Sequence, residues 1–510
     1  MSRKNGGIIG PANTPVGGLF KGVAGGVWRM NDVANFVSNS QWPKAPENIE
    51  NSLRFDDASS DYLTRTPSSA TSRTTWTWSA WVKRSDLAPT SGLFEAYADS
   101  NNFTYIRFAP DYIRIFNRIG GSTKAVYNTT ALFRDVSAWY HIVWTWDTTN
   151  GTAGDRSRLY VNGTRITDFS TETNPTSSEQ SFINNNDAHY IGSTGQPSLY
   201  LNGSMAEVVF IDGQALEPTS FGETDSTTGI WKPKKIGAFA SAGDNSFYLD
   251  FKDSSNVGKD VSGLGNNFTV NNLTSIDQST DTCVENFATL NPLIRNKSYN
   301  DGTLAEGNLK FAPDGRAISC STIGVTKGKW YAEFKAQDAG ALYIGCGQLR
   351  GIDALSDGGL SNPIWYDNNP GYAVGYGAGG SLEDGTASTS YGSGYSDNDI
   401  VGVALDMDNY EMYISVNGTF QNSGDPTSGS SKTGGVTGAT SYNPFDDGPP
   451  IFFFVSDFSA AGVGECLCNF GNPPYSISSG NSDANGHGNF EYSVPSGYYA
   501  LNTSNLNTYG

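Results

Sequence analysis

The sequence predicts an all-β chain: two β-sandwiches joined by a short β-rich connector and preceded by an extended N-terminal arm. Three observations carry this. First, 60 of the 510 residues are Gly, 13% are aromatic and only 16% are charged, against roughly 7% Gly and 25% charged residues in ordinary domains. Gly-rich turns and aromatic strands with few charges describe β architecture. Second, no window of about 11 to 18 residues keeps a helical period built from helix formers. Third, one pattern occurs twice. Arg158-Leu159-Tyr160-Val161-Asn162-Gly163-Thr164 and Glu411-Met412-Tyr413-Ile414-Ser415-Val416-Asn417-Gly418-Thr419 both run a strand into an Asn-Gly turn, which accepts positive φ. Each follows another strand-like run. Tyr140, Ile142, Trp144 and Trp146 share one face of the first, and Val401, Val403 and Leu405 one face of the second. A chain of this length exceeds one core, so each hairpin is read as the centre of its own sandwich.

In chain order, residues 1–48 are mostly Gly, Pro, Ala and Val at their start and offer too little apolar surface to offset the ordering entropy of a core. Ile8, Ile9, Phe20, Trp28 and Trp42 are still too apolar to leave in water. The segment therefore reads as a docking arm that orders against a partner or a neighbouring subunit. In residues 49–215, Trp76 and Trp78 fall on one face of a strand and Trp81 on the other, which suits a central strand covered on both sides. Further strands are expected at 104–108, 112–115, 188–192 and 204–211. The connector, 216–299, is dense enough in apolar groups to pack on something, and two or three short strands bracing the sandwiches are expected. Asp260, Asp277 and Asp281 read as spaced surface acids. In residues 300–510, Trp330, Ala332 and Phe334 share a face, and a strand follows at 451–456. The acids of 406–411 read as turn chemistry.

The formal charge is −19, with Lys and Arg scattered along the chain. Lacking a basic patch, it is not expected to bind nucleic acid. Five sparse cysteines (Cys283, Cys320, Cys346, Cys466 and Cys468) make no disulfide framework and are expected to be reduced and buried. Three histidines give little material for zinc. No run approaches ~20 apolar residues and no apolar leader is visible, so neither membrane insertion nor a signal peptide is expected. Glycoside hydrolysis needs two carboxyls roughly 5 to 10 Å apart. Glu207 has no second acid on its face, so no enzyme is expected and no catalytic residue is assigned. No metal or cofactor is assigned either. The nearest to one is Ca²⁺ on Asp147, Asn150 and Asp155, which share a loop, but the preferred reading of that loop is an ordinary acidic turn. Loops carry function more often than strands, and the loop 364–372 sets Trp365, Tyr366 and Tyr372 beside Asp367 and Asn368. Aromatic faces suit the C–H surface of a sugar and the polar groups suit its hydroxyl edge. The plainer role of Trp365 and Tyr372 is to pin a long loop.

Gly7-Ile8-Ile9-Gly10-Pro11, Gly26-Val27-Trp28 and Gln41-Trp42-Pro43 resemble the opening of marine bacteriophage tail and appendage proteins. Trp231-Lys232-Pro233 and Phe287-Ala288-Thr289-Leu290-Asn291-Pro292 resemble the same proteins in the same order. The segments 76–82, 139–143, 159–163, 190–192 and 206–210 resemble the laminin-G-like, concanavalin-like jelly roll. Lys329-Trp330-Tyr331-Ala332-Glu333-Phe334, the 399–418 hairpin and Cys468-Asn469-Phe470-Gly471 resemble SPRY domains. Insertions at 423–440 and after 471 depart from that pattern, so SPRY peptide specificity does not transfer. The resemblances imply a non-enzymatic virion protein, made in the host cytoplasm and assembled on the particle. Its arm would hold it to other virion proteins. As part of a tail fibre or appendage, it would bind host-surface glycan or envelope protein through sandwich loops. A homo-oligomer is implied, in fibres often a trimer, although no heptad repeat marks one. The alternative is a structural virion protein, a head decoration or tail adaptor, with apolar contact surfaces around Trp28, Trp42 and Trp231. An acidic adhesin meeting an acidic envelope is repelled unless salt screens the charges, so binding that tolerates or needs high salt is expected.

Overall fold

The protein is described by a computed structural model covering residues 49–510, except 295–301, 350–371 and positions 88, 227, 238, 240, 241, 385, 386, 441, 442, 446, 447, 458 and 460, together with the backbone of Gly7–Ile8 and Trp28–Arg29. The described chain is all-β apart from short 3-10 turns and one closing helix, Thr503–Tyr509.

The first sandwich has two antiparallel sheets. One, the covered sheet, runs Thr164–Arg165, Ser157–Val161, Trp139–Asp147, Thr75–Arg84, Gly203–Asp212, Ser52–Phe55, Gln278–Ser279, with Phe247–Leu249 also paired to Gly203–Asp212. The other, the open sheet, runs Phe169–Thr173, Ser122–Thr129, Ile113–Ile119, Asn102–Phe108, Ser91–Asp99, Ala188–Ile191, Tyr62–Arg65, Thr269–Asn271. Alternation along Thr75–Arg84 sends Trp76 and Trp78 between the sheets with Trp144 and Trp146. There Trp76 stacks on Trp146 at 6.0 Å and meets Trp144 edge-on at 4.6 Å. Trp81 points the other way and is buried with Ile49, Trp139 and Ala206, against Cys283 and Val284. The expected cover on both faces is present, and part of it comes from the connector.

Connector strands extend both sheets of this first sandwich: Thr269–Asn271 pairs with Tyr62–Arg65, and Gln278–Ser279 with Ser52–Phe55. The expectation that Asp260, Asp277 and Asp281 are surface acids is overturned, because all three are buried. Asp260 accepts the Tyr248, Ser262 and Asn266 N–H groups. Asp277 accepts from Thr274 and faces Arg54 at 3.7 Å. Asp281 accepts from Lys83 Nζ at 2.8 Å and from the Phe287 N–H at 3.1 Å. Each acid is spent folding a segment that has few backbone partners of its own.

In the second sandwich one sheet runs Thr303–Ala305, Lys310–Ala312, Glu465–Asn469, Lys329–Asp338, Ile400–Asp406, Glu411–Val416, Thr419–Phe420, with Tyr499–Ala500 parallel to Lys329–Asp338. The facing sheet runs Ala317–Cys320, Ile451–Asp457, Leu342–Gln348, Ala373–Gly377, Ser381–Glu383, Ser388–Ser390. Trp330, Ala332 and Phe334 join Val401, Val403 and Leu405 in the core. Cys346, Cys466 and Cys468 are free and buried, Cys320 is buried, and Cys283 is free and half-buried.

The two repeated turns use one device. Asn162 has φ 49° and Gly163 φ 76°; Asn417 has φ 48° and Gly418 φ 77°. The Asn162 side chain accepts the His141 N–H at 2.8 Å, and Asn417 accepts the Ile400 N–H at 2.9 Å. An aromatic ring from a later segment lies on each glycine. A Cβ on Gly163 would stand 2.5 Å from Trp231, and one on Gly418 2.5 Å from Tyr492. These turns therefore need Gly for conformation and for space.

Candidate functional site

Of the residues expected to bind ligand, Trp365, Tyr366, Asp367 and Asn368 lie outside the described residues. Tyr372 is half-buried, and its carbonyl accepts the Gln348 N–H at 2.7 Å just before Ala373–Gly377. Of the arm residues, Ile8 stands opposite Trp28 on a two-residue antiparallel ladder. Ile9, Phe20 and Trp42 lie outside the described residues.

The second sandwich also carries a cleft of about 420 Å³, within the range of small-ligand sites. Four parts of the chain converge on it. Lys329 opens a central strand, Asp408 sits in the turn between Ile400–Asp406 and Glu411–Val416, Thr427 belongs to the 423–440 insertion, and Ser496, Gly497, Tyr499 and Tyr509 come from the closing segment. Tyr499 and Tyr509 stack with centroids 3.7 Å apart and planes 10° from parallel. Tyr509 is brought there by the last helix, capped when the Asn502 side chain accepts the Asn505 N–H at 2.8 Å. Gly328 has φ 80°, and a Cβ there would stand 2.6 Å from the Tyr509 carbonyl.

The acids of the 406–411 turn divide the work. Asp406 is fully buried, accepts the Asp408 and Asn409 N–H groups and pairs with Lys329 Nζ at 2.8 Å. That is the expected turn chemistry. Glu411 is also fully buried and accepts from Thr437, which docks the insertion. Asp408 is exposed and lines the cleft, one carboxylate oxygen accepting the Gly328 N–H at 2.8 Å. Sequence reasoning does not single out Tyr499, Tyr509 or Ser496, and it reads Asp408 only as turn chemistry. The available signal was the run Ser496-Gly497-Tyr498-Tyr499, whose destination depends on a parallel pairing with Trp330 and Tyr331 far upstream.

Other candidate chemistry resolves into structure. The Trp231 indole N–H donates to His141 Nδ1 at 2.9 Å, so His141 Nε2 carries the proton and donates to Ser79 Oγ at 2.9 Å. A serine nucleophile needs the reverse polarity, and both residues are buried beyond the reach of substrate. Burial lowers the His141 pKa to about 3. Glu207 sits at φ 52° in a bulge of Gly203–Asp212 and accepts the Tyr248 hydroxyl. In the loop considered for Ca²⁺, Asp147 accepts from Thr149, Asn150 from the Thr152 N–H, and Asp155 pairs with Arg165 at 2.7 Å. Among the described residues no group of three His, Cys, Asp or Glu is arranged to hold a metal, and no helix is long and apolar enough to cross a membrane.

Residues 57–220 match the Laminin_G_3 family model, described as the concanavalin A-like lectin/glucanases superfamily. No curated protein matches the chain. Among solved structures, a candidate carbohydrate-binding protein from Bacteroides ovatus is 18% identical, with a TM-score of 0.31 over 45% of this chain; the chain spans 62% of that protein's length. Domains LG4-5 of the mouse laminin alpha1 chain are 10% identical, with a TM-score of 0.28 over 80% of this chain and 84% of theirs. The SPRY domain of human HERC1 is 14% identical, with a TM-score of 0.22 over 30% of this chain and 82% of its own. Residues 57–220 thus form a concanavalin-like, laminin-G-like sandwich within an all-β chain.

Proposed function

We propose that the protein is a non-enzymatic bacteriophage virion protein of a tail fibre or appendage, and that it binds host-surface glycan through the cleft of its second sandwich. The observation that carries the binding reading is the stacked Tyr499–Tyr509 pair walling a cleft edged by Asp408, Thr427 and Ser496. Such a pair offers an apolar face to a sugar ring, and the polar rim offers acceptors and donors to its hydroxyls. The lectin-type family match of residues 57–220 agrees with a binding protein, and the phage assignment rests on the arm and connector motifs. The structural alternative called on Trp231 as a contact surface. That side chain is engaged within the chain, between Gly163, Gly222 and His141.

Two measurements test the proposal. On a panel of host-envelope glycans the whole chain should bind, and Ser496→Trp, which fills the cleft from an exposed position, should lose binding at unchanged thermal stability. Fab fragments against residues 300–510 should block adsorption of the parent phage. Fabs that decorate the particle without slowing adsorption would return the protein to a structural role.

A further inference from the structure

We propose that the outward face of the open sheet in the first sandwich is a second binding site, for an anionic polysaccharide carrying sulfate or carboxylate groups. The alternation of two neighbouring strands builds it. Ile106 and Ile115 point into the core, so Phe103, Tyr105 and Arg107 of one strand and Arg114, Phe116 and Arg118 of the next share the opposite face. Phe103, Tyr105 and Phe116 form a cluster of nearly parallel rings, with centroids 5.6 to 5.8 Å apart and planes within 19°. Arg107 stands directly opposite Arg114 at one end, and Arg118 pairs with Phe103 at the other. The Arg107 guanidinium lies 4.2 Å from the Tyr105 ring centre and that of Arg114 5.2 Å from Phe116.

The expectation of scattered basic residues is corrected here, because strand pairing gathers what the sequence spaces apart. Like charges directly opposite on a ladder are unfavourable, and the chain has 51 acids to its 32 bases. Even so, none of the three guanidinium groups forms an ion pair or a side-chain hydrogen bond among the described residues, and the Nε of each is buried without a partner. The other arginines of this sandwich are held: Arg84 donates to three carbonyls, Arg158 pairs with Glu217 and Arg165 with Asp155. The nearby carboxyl, Glu95, is buried and accepts the Gly195 N–H at 3.0 Å.

Guanidinium groups take carboxylate and sulfate oxygens in paired hydrogen bonds, and the half-buried Phe103 and Phe116 rings, backed by the buried Tyr105, can take the apolar faces of sugars. Arg114 and Arg118 are four residues apart on one strand, roughly 13 Å. That exceeds one small anion and suits charged groups on separated rings of a polymer. Nucleic acid fits less well, because a phosphate on every unit calls for more cations than three on a chain of net charge −19. An acidic peptide would leave the rings unused.

The test uses the whole chain and immobilised dextran sulfate, with unsulfated dextran, polyglutamate and single-stranded DNA as comparisons, at about 0.15 M salt. Dextran sulfate should retain the chain more strongly than the other three do. Arg114→Gln with Arg118→Gln should weaken that binding about tenfold or more. Phe116→Ala should weaken it too, and Ser496→Trp should leave it unchanged, which separates this site from the cleft. Arg118→Glu alone, near a hairpin end, serves if the double variant fails to fold. The proposal is overturned if dextran sulfate does not retain the chain, if polyglutamate or DNA retains it equally well, or if folded arginine variants bind like the parent.

Discussion

Buried titratable side chains set the acid–base behaviour of this fold. Burial lowers His141 to about 3 and His189 to about 4, while the unfolded chain protonates histidine near 6.5. Their stabilising contribution is therefore complete above pH 6.5 and is lost as pH falls from there towards 4. Asp61, Glu95 and Glu333 act in the opposite sense. Burial raises each to about 7, so the fold holds protons that the unfolded chain releases near 4, and stability is lost as pH rises through 7. Glu95→Gln isolates one such group, because the carboxamide oxygen still accepts the Gly195 N–H. Calorimetry should show the variant more stable than the parent at pH 8, by up to about 3 kcal/mol, and about equal to it at pH 4. An equal difference at both pH values would mean that the charge of Glu95 is not the cause. Glu333→Gln should behave differently. Its two oxygens accept from Tyr331, Asn469, Glu491 and Tyr492, so an amide N–H₂ would face donors. A loss of about 1–3 kcal/mol, with faster hydrogen exchange at 491–492, is expected at every pH.

The Asn-Gly turns are the elements on which both sandwiches can be compared directly. Gly163→Ala places a methyl group against Trp231 at positive φ, and Gly418→Ala places one against Tyr492. Each should cost about 1–3 kcal/mol. Hydrogen exchange should rise at 222–233 in the first variant and at 478–494 in the second; a rise confined to the turn itself would mean that the aromatic contact contributes nothing. The turns were legible because their chemistry is local, and so was the facing of Trp76, Trp78, Trp81 and Trp330, which follows from period-2 alternation. The destinations of partners distant in sequence were not legible. Nothing near Asp281 announces Lys83, 198 residues earlier, and nothing near Tyr499 announces its parallel pairing with Trp330. The arginine face belongs to the same class. Arg107, Arg114 and Arg118 straddle a hairpin, and only the register that sets Arg107 opposite Arg114 makes them neighbours.

At the scale of the molecule, the residues between the sandwiches act as a bolt rather than a tether. Lys83 Nζ donates to Asp281, Asn286 and the Phe287 carbonyl at 2.7 to 3.2 Å, and Phe287 bridges to Asn502 in the closing segment. The Asn308 side chain donates to the Ser85 carbonyl at 2.7 Å, Arg54 pairs with Glu306 at 3.2 Å, and Thr280 donates to the Gly471 carbonyl at 3.1 Å. The sandwich that carries the cleft and the sandwich that carries the arginine face are then held in fixed relation. Lys83 is the member to remove, since both it and Asp281 are almost fully buried. Lys83→Met keeps most of the apolar stem but leaves the Asp281 carboxylate buried without its cation, at a cost of about 3–5 kcal/mol. That loss falls on the junction, where it weakens the coupling between two cores that are each complete without it. Calorimetry of the variant should show unfolding separating into two transitions, with hydrogen exchange rising first across 280–290. A single transition at the parent's temperature would show that the surrounding contacts fasten the sandwiches without Lys83.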